Sequence, residues 1–233
     1  MLVLGLDTST PAVCASLVEI SAAGTWGVQA DFQQIDGKRH GELLATGIAQ
    51  VLAELGATAQ DLTAVAVGVG PGPYTGLRVG IMTAAALAHA LGIPAYGVCS
   101  LDALVAWQDG VGARLAVTDA RRREVYWAEY DQDGARTAGP GVLAPAELAR
   151  RLTEVSWQGQ IFGDGAQLHR AAFGENEREN VIIDDPRYPS GDGIVLCASR
   201  RVLDGAPTET LVPLYLRRPD AEEPTTAKRV TPA

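Results

Sequence analysis

A glycine- and proline-rich stretch at residues 68–80, GVGPGPYTGLRVG, separates an apolar run from an alanine-rich run. The apolar run predicts a buried strand and the alanine-rich run predicts a helix, so the stretch forms a strand-to-helix corner. Corners of this kind often bind phosphate through free N–H groups at the helix N-terminus. Here Pro71 and Pro73 each remove a backbone donor. No Walker lysine follows, and the GxGxxG spacing is broken at Pro73. The stretch therefore favours a rigid corner that orients the next helix over a phosphate-binding loop.

The segments around this corner predict an α/β protein whose first part has the order β-β-β-α-β-α-β. Apolar runs predict a three-stranded meander, and two helices then alternate with two strands. The predicted strands are 2–7, 12–20, 26–34, 64–69 and 95–98, and the predicted helices are 40–56 and 76–91.

A second, looser copy of this pattern follows from residue 101. It comprises strands at 114–118 and 124–130, a Gly/Pro connection over 138–145, a helix at 146–153, a strand at 160–163 and a helix at 192–204. We therefore expect a first α/β lobe over 1–100 and a degenerate second lobe over 101–218. A polar tail over 219–233 has little to bury and is predicted to be mobile.

Composition excludes several classes of protein. The formal net charge is −9 over 233 residues, opposite in sign to that of a free-standing nucleic-acid binder. Only three cysteines are present, far apart, so neither a zinc site nor a disulfide framework is predicted. No apolar run reaches membrane-spanning length, and the N-terminus lacks a basic signal region. We expect a cytoplasmic protein without a metal and without membrane contact.

The two helices of the first lobe carry more apolar surface than one sheet face needs. Residues 43–55 contain only three polar side chains, and so do residues 76–91. Such helices pack tightly within a lobe, form a subunit interface, or do both. The interface interpretation assigns contacts to Leu43, Gly47, Val51, Leu55, Gly76, Gly80, Ala84 and Leu87.

Polar residues at the end of the first strand are candidates for a nucleotide site. Asp7, Thr8 and Ser9 stand where a carboxylate and hydroxyls could meet a phosphate or its metal, although a simple polar turn is the favoured interpretation. Asp119 is the corresponding residue of the second lobe, but Ala120 and Arg121 follow it where backbone approach to a phosphate needs glycine. No catalytic residue is predicted.

Several segments resemble the TsaB (YeaZ) family. They occur in family order between residue 2 and about residue 217. They are DTST at 7–10, HGELL at 40–44, GPGPYTGLR at 70–78, DARRREVYWA at 119–128, GDGA at 163–166 and PLYLR at 213–217. The resemblance implies an actin-like, sugar-kinase-like (ASKHA) fold of duplicated β-β-β-α-β-α lobes.

The resemblance also implies a function. Members of this family are non-catalytic partners of the paralogue TsaD in the synthesis of threonylcarbamoyladenosine (t6A) in tRNA. The implied partners are a TsaD-like paralogue, a TsaE-like ATPase and, for the chain alone, a second copy. Transfer RNA is reached only through the complex. No cofactor is required, and weak ATP or ADP binding is compatible with the fold. The alternative is a stand-alone actin-like nucleotide-dependent kinase or hydrolase, with ATP bound near Asp7 and the 119–123 turn.

Overall fold

The computed structural model describes residues 1–107, 112–174 and 180–217. The predicted tail over 219–233 lies outside these residues. The chain forms two mixed five-stranded sheets, each built from three antiparallel strands followed by two parallel ones.

The first sheet contains the five predicted strands, and the predicted order β-β-β-α-β-α-β is confirmed. Its strands are β1 (Leu2–Asp7), β2 (Ala12–Ile20), β3 (Trp26–Ile35), β4 (Leu62–Gly68) and β5 (Ala95–Val98), and its helices are α1 (His40–Leu55) and α2 (Tyr74–Leu91). The spatial order is β3-β2-β1-β4-β5. Both helices end at glycines in the left-handed region, Gly56 and Gly92, as the sequence predicted.

The second sheet repeats the topology of the first. It contains β6 (Ala113–Asp119), β7 (Val125–Tyr130), β8 (Arg136–Leu143), β9 (Gly159–Phe162) and β10 (Val181–Ile182), in the spatial order β10-β9-β6-β7-β8. Its strands pair antiparallel and parallel in the same sequence as in the first sheet. The fifth strand has only two residues, which agrees with a degenerate second copy.

The remaining helices are α3 (Ser100–Val105), α4 (Pro145–Glu154), α5 (Asp164–Leu168), α6 (Arg170–Gly174) and α7 (Gly191–Leu203). The prediction of an irregular Gly/Pro connection over 138–145 was wrong, because most of it belongs to β8. This strand lies at the sheet edge and has a neighbouring strand on one side only. Proline, which lacks an N–H, is tolerated at such an edge.

Apolar side chains organise the chain into five layers. Helices α1 and α2 cover the outer face of the first sheet. Helix α7 covers its inner face, and α3 packs against α7 and against the inner face of the second sheet. Helices α4, α5 and α6 cover the outer face of the second sheet.

The C-terminal segment joins the two predicted lobes. Helix α7 falls in the predicted second lobe but packs on β1, β2 and β4 of the first sheet. After it the chain runs along β5, where the amide of Glu209 donates to the carbonyl of Ala95. Residues after 190 therefore complete the core around the first sheet. A lobe boundary at residue 100 does not describe this packing.

Candidate functional site

The polar turn after β1 is closed inside the protein. Asp7 has no solvent-exposed surface. Its Oδ1 accepts from the amide and the hydroxyl of Ser9 at 2.8 and 2.7 Å, and its Oδ2 accepts from the Ser100 hydroxyl at 2.6 Å. Burial raises the pKa of Asp7, although these hydrogen bonds act in the opposite direction. The carboxylate therefore has internal partners on both oxygens.

Ser100 links this carboxylate to the glycine-rich corner. Its hydroxyl accepts from the Gly70 amide at 3.2 Å, and its own amide donates to the Gly70 carbonyl at 2.8 Å. A side chain at Gly68 would place Cβ 1.8 Å from Asp7 Oδ2. Only glycine fits there, so the corner, the turn and the start of α3 form one buried hydrogen-bonded unit.

Thr8 connects the same turn to helix α2. Its hydroxyl donates to the Gly76 carbonyl at 2.8 Å and accepts from the Gly80 amide at 3.1 Å. A Cβ at Gly80 would lie 2.5 Å from the Thr8 hydroxyl oxygen, and one at Gly76 would lie 2.6 Å from the Thr8 carbonyl oxygen. The small residues of α2 therefore allow close approach of the chain's own polar turn.

A cavity of about 310 Å³ opens beside this unit. It is lined by Ser9, Thr10 and Thr75 on one side and by Asp119 and Arg121 on the other. Asp7 and Thr8 are not among its lining residues. The structure thus brings Ser9 and Asp119 to one cavity and separates Asp7 from it. A nucleotide-binding role for Asp7, Thr8 and Ser9 stays a prediction, with the polar groups of Asp7 and Thr8 already used internally.

His40 has a structural partner in the same region. It begins α1, and its Nε2 lies 2.9 Å from the Thr10 carbonyl oxygen. The N-cap of α2 is Pro73, and helix α2 begins at Tyr74. Thr75 therefore lies inside the first turn of this helix and does not cap it.

The carboxylates of Asp119 and Asp164 in the second lobe accept hydrogen bonds from backbone amides. Asp119 Oδ1 accepts from the Arg121 amide at 2.8 Å, and the Asp119 amide donates to Asp164 Oδ1 at 3.1 Å. Burial raises the pKa of Asp164 to about 6. In the part of the chain that the structure describes, no group of three His, Cys, Asp or Glu residues could hold a metal ion.

Most of the residues assigned to an interface are buried between helices α1 and α2 and the first sheet. Leu43, Gly47, Val51, Gly76, Gly80 and Ala84 are buried, Leu87 is half-buried and only Leu55 is exposed. A Cβ at Gly47 would meet Phe32 of β3 at 2.3 Å. The packing interpretation of the apolar excess accounts for these positions. A partner that docks on α1 and α2 must therefore meet their opposite faces.

Those opposite faces form an exposed surface of small and apolar side chains. We define the outer helix surface by three exposed residues of each helix, spaced four apart along the chain. They are Ala45, Ala49 and Ala53 of α1, and Met82, Ala86 and Ala90 of α2. Met82 keeps 60% of its surface exposed. Sequence reasoning passed over these residues, although their spacing along both helices was visible.

Comparisons with known proteins support a relationship over most of the chain. A family model described as TsaD, tRNA N6-adenosine threonylcarbamoyltransferase, matches residues 33–225. The tRNA threonylcarbamoyladenosine biosynthesis protein TsaB of Escherichia coli K12 is 30% identical over 231 residues, with 93% of this chain and 95% of that protein covered. This chain belongs to the TsaB family.

Two further comparisons also extend over most of the chain. An uncharacterized protein of Mycobacterium tuberculosis is 45% identical over 220 residues, covering 94% of this chain and 93% of that protein. The solved structure of YeaZ from Pseudomonas aeruginosa superposes with a TM-score of 0.74 at 27% identity, covering 92% of this chain and 99% of that one.

The actin-like fold expected for a TsaB-family chain is confirmed. Component A of the (R)-2-hydroxyglutaryl-CoA dehydratase of Acidaminococcus fermentans shares it, with a TM-score of 0.52 at 12% identity over 87% of this chain and 99% of that one. This likeness concerns the fold alone. Among the described residues, no helix is both long enough and apolar enough to span a membrane.

Proposed function

We propose that this chain is the non-catalytic subunit that pairs with a TsaD-type transferase in the synthesis of t6A in tRNA. The observation that carries the proposal is its end-to-end similarity to a protein named for t6A biosynthesis, TsaB of Escherichia coli. A TsaE-like ATPase is the third component, tRNA is held by the complex, and the site of action is the cytoplasm.

The outer helix surface is the proposed contact with the transferase. It lies on the outermost layer of the first sheet, so no element of the described chain covers it. Alanines there let another helix pair approach closely, and Met82 supplies an adaptable apolar contact. Polar side chains such as Glu42, Gln50 and Arg78 flank it, as expected for an interface with an apolar centre and a polar rim. We propose that the chain alone forms homodimers through the same surface.

The buried unit around Asp7 supports a scaffolding role. A phosphate-binding turn needs donors that face a ligand, whereas the Thr8 hydroxyl already bonds to α2 and both Asp7 oxygens are occupied. We infer that this unit now fixes the position of α2 and that no cofactor is required for it to do so.

An omission assay tests the proposal. Precursor tRNA, a source of threonylcarbamoyl-adenylate, the TsaD-type transferase and the TsaE-type ATPase from the same organism are combined with and without this chain, and modified adenosine is scored by mass spectrometry. We expect modification only when the chain is present, and none from the chain alone. Equal modification without it would overturn the proposal. ATP turnover by the isolated chain would instead favour the stand-alone kinase or hydrolase.

The contact surface is tested with charged substitutions and a matched control. Ala49→Arg and Ala86→Glu introduce charge on the outer helix surface, whereas Ala146→Arg introduces it at an exposed position of α4 on the opposite side of the molecule. We expect the first two to weaken association with the transferase at least tenfold, by roughly 1.4 kcal/mol. Because all three sites are exposed, the melting temperatures should stay close to that of the unmodified chain. Equal binding by all three variants would exclude this surface.

A further inference from the structure

The chain that follows α7 connects the two sheets. We define the strap as residues 206–217, a segment that contains neither helix nor strand. It begins beside β5 of the first sheet and ends beside the turn between β6 and β7 of the second. The strap therefore joins the two sheets in addition to the packing of α3 against α7.

The beginning of the strap is fixed to β5. The Glu209 amide donates to the Ala95 carbonyl at 2.9 Å, and the Ala95 amide donates to the Thr208 hydroxyl at 3.1 Å. The Glu209 carboxylate accepts from the Gly97 amide at 3.1 Å and forms an ion pair with Arg201 of α7 at 2.8 Å. These bonds cover part of the edge of the first sheet and hold the strap on it.

The middle of the strap packs against the cores of both sheets. The Leu214 amide donates to the carbonyl of Val69, just after β4, at 2.8 Å. Leu211 packs against the outer core of the first sheet, and Leu216 packs against the inner core of the second. Leu214, between them, contacts both cores. The apolar contacts of the strap thus pass from one sheet to the other within a few residues.

The end of the strap is fixed to the turn between β6 and β7. Two N–H groups of the Arg217 guanidinium donate to Glu124 Oε2, one of them at 2.9 Å. The Glu124 amide in turn donates to the Arg121 carbonyl at 3.0 Å, which closes the turn. Both charged side chains are partly shielded from water, so their attraction exceeds that of a fully exposed pair. The ring of Tyr215 lies 5.1 Å from that of Tyr74, between centroids.

Rotation of one sheet relative to the other would break these contacts. Structural units that are joined by few segments usually rotate relative to each other. Here the strap is bonded to β5 at one end and to the β6–β7 turn at the other. A relative movement must therefore separate Arg217 from Glu124 or withdraw Leu214 from one of its two cores, and both changes are unfavourable.

We propose that the strap acts as a lock that holds the two sheets in one relative orientation, so that the cavity of about 310 Å³ between them keeps its width. That cavity is lined by Ser9 and Thr75 from the first lobe and by Asp119 and Arg121 from the second. A protein that closes around a ligand needs lobes that move, whereas a locked chain presents a preformed surface. The inference does not depend on pairing with a transferase, because it concerns contacts within this chain.

The test measures the distance between two spin labels, one on each lobe of the full chain, by double electron–electron resonance. Gln60→Cys, before β4, and Ala146→Cys, in α4, supply exposed labelling sites. In a second sample, Lys38→Cys replaces Gln60→Cys, so that two directions across the molecule are measured. Burial raises the pKa of all three native thiols, so the label selects the introduced cysteines at neutral pH. We expect one narrow distance distribution in each sample.

Four variants connect the distance distribution to the strap. Arg217→Ala and Leu214→Ala each remove one of its connections and should broaden the distribution about twofold. The matched controls should leave it unchanged: Arg200→Ala removes an exposed guanidinium of α7, and Val212→Ala shortens a strap side chain that is 62% exposed. Cooperative thermal unfolding identifies the variants that fold, and Arg217→Ala decides the test if Leu214→Ala does not. A broad distribution in the unmodified chain would overturn the proposal, and so would equal widths in all four variants.

Discussion

At the scale of single residues, Asp7 has more buried partners than its place in the sequence suggested. Replacing it with alanine leaves the Ser9 amide and the Ser100 hydroxyl without their acceptor. We expect Asp7→Ala to lower the free energy of unfolding by about 2 kcal/mol, and Asp7→Asn to cost less because it keeps an acceptor oxygen. Urea denaturation followed by circular dichroism measures both. Loss of t6A synthesis by Asp7→Ala at unchanged stability would contradict a structural role.

Asp164 is predicted to make stability depend on pH. Burial raises its pKa to about 6 in the folded protein, against 3.8 for an unperturbed aspartate carboxyl group. The folded state therefore binds the proton more tightly, and the stability gained from protonation is present at pH 4 and lost as the pH rises to 6. Relative to Asp164→Asn, the unfolding free energy should fall by about 2 kcal/mol across this interval. Denaturation of both proteins at pH 4, 5, 6 and 7 measures the difference. Parallel profiles would contradict it.

The candidate site could be predicted only in part at this scale. The sequence located Asp7 at the end of a strand, because an apolar run stops there. It could not show that Ser100, 93 residues later, donates to that carboxylate, since the contact depends on how β5 and β1 flank β4. A cavity of about 590 Å³ lined by Tyr74, Arg121 and Tyr215 was missed for the same reason, because its walls come from three separate segments.

At the scale of elements, one glycine in each of the two long helices shows that α2 is more tightly packed than the start of α1. A Cβ at Gly80 would lie 2.5 Å from the Thr8 hydroxyl oxygen, whereas a Cβ at Gly41 meets nothing within 4 Å. Gly80→Ala should lower the unfolding free energy by about 1–3 kcal/mol through overpacking. Gly41→Ala should raise it by about 0.5 kcal/mol through helix propensity. Thermal unfolding of the pair measures the contrast, and equal melting temperatures would mean that α2 does not depend on contact with Thr8.

Element types followed from sequence pattern where the pattern was strong. The five strands and two long helices of the first lobe have apolar periodicity and glycine stops, so they were predicted correctly. Strand β8 was missed because Gly139, Pro140 and Gly141 indicate a turn unless the strand is known to lie at an edge. The faces of α1 and α2 that pack inward could not be assigned, because both helices are apolar almost all round.

At the scale of the whole molecule, the residues after 190 complete the core around the first sheet. Helix α7 places Ile194, Val195 and Ala198, all essentially without exposed surface, against β1 and β4. A chain ending at residue 189 would expose that sheet face, so we expect it to lose cooperative unfolding and to aggregate. A chain ending at residue 217 should melt as the full chain does. Calorimetry of the two truncations measures this, and a cooperative transition in the shorter one would contradict it.

The same arrangement has a consequence for synthesis on the ribosome. The strands of the first sheet leave the exit tunnel early, but α7, which covers their inner face, is completed about a hundred residues after β5. At ordinary translation rates that interval lasts roughly 5–20 s. Throughout it, the apolar inner face lacks the helix that covers it in the folded protein. The nascent chain is therefore expected to engage chaperones that bind apolar surface, and this engagement should end once residue 203 has emerged.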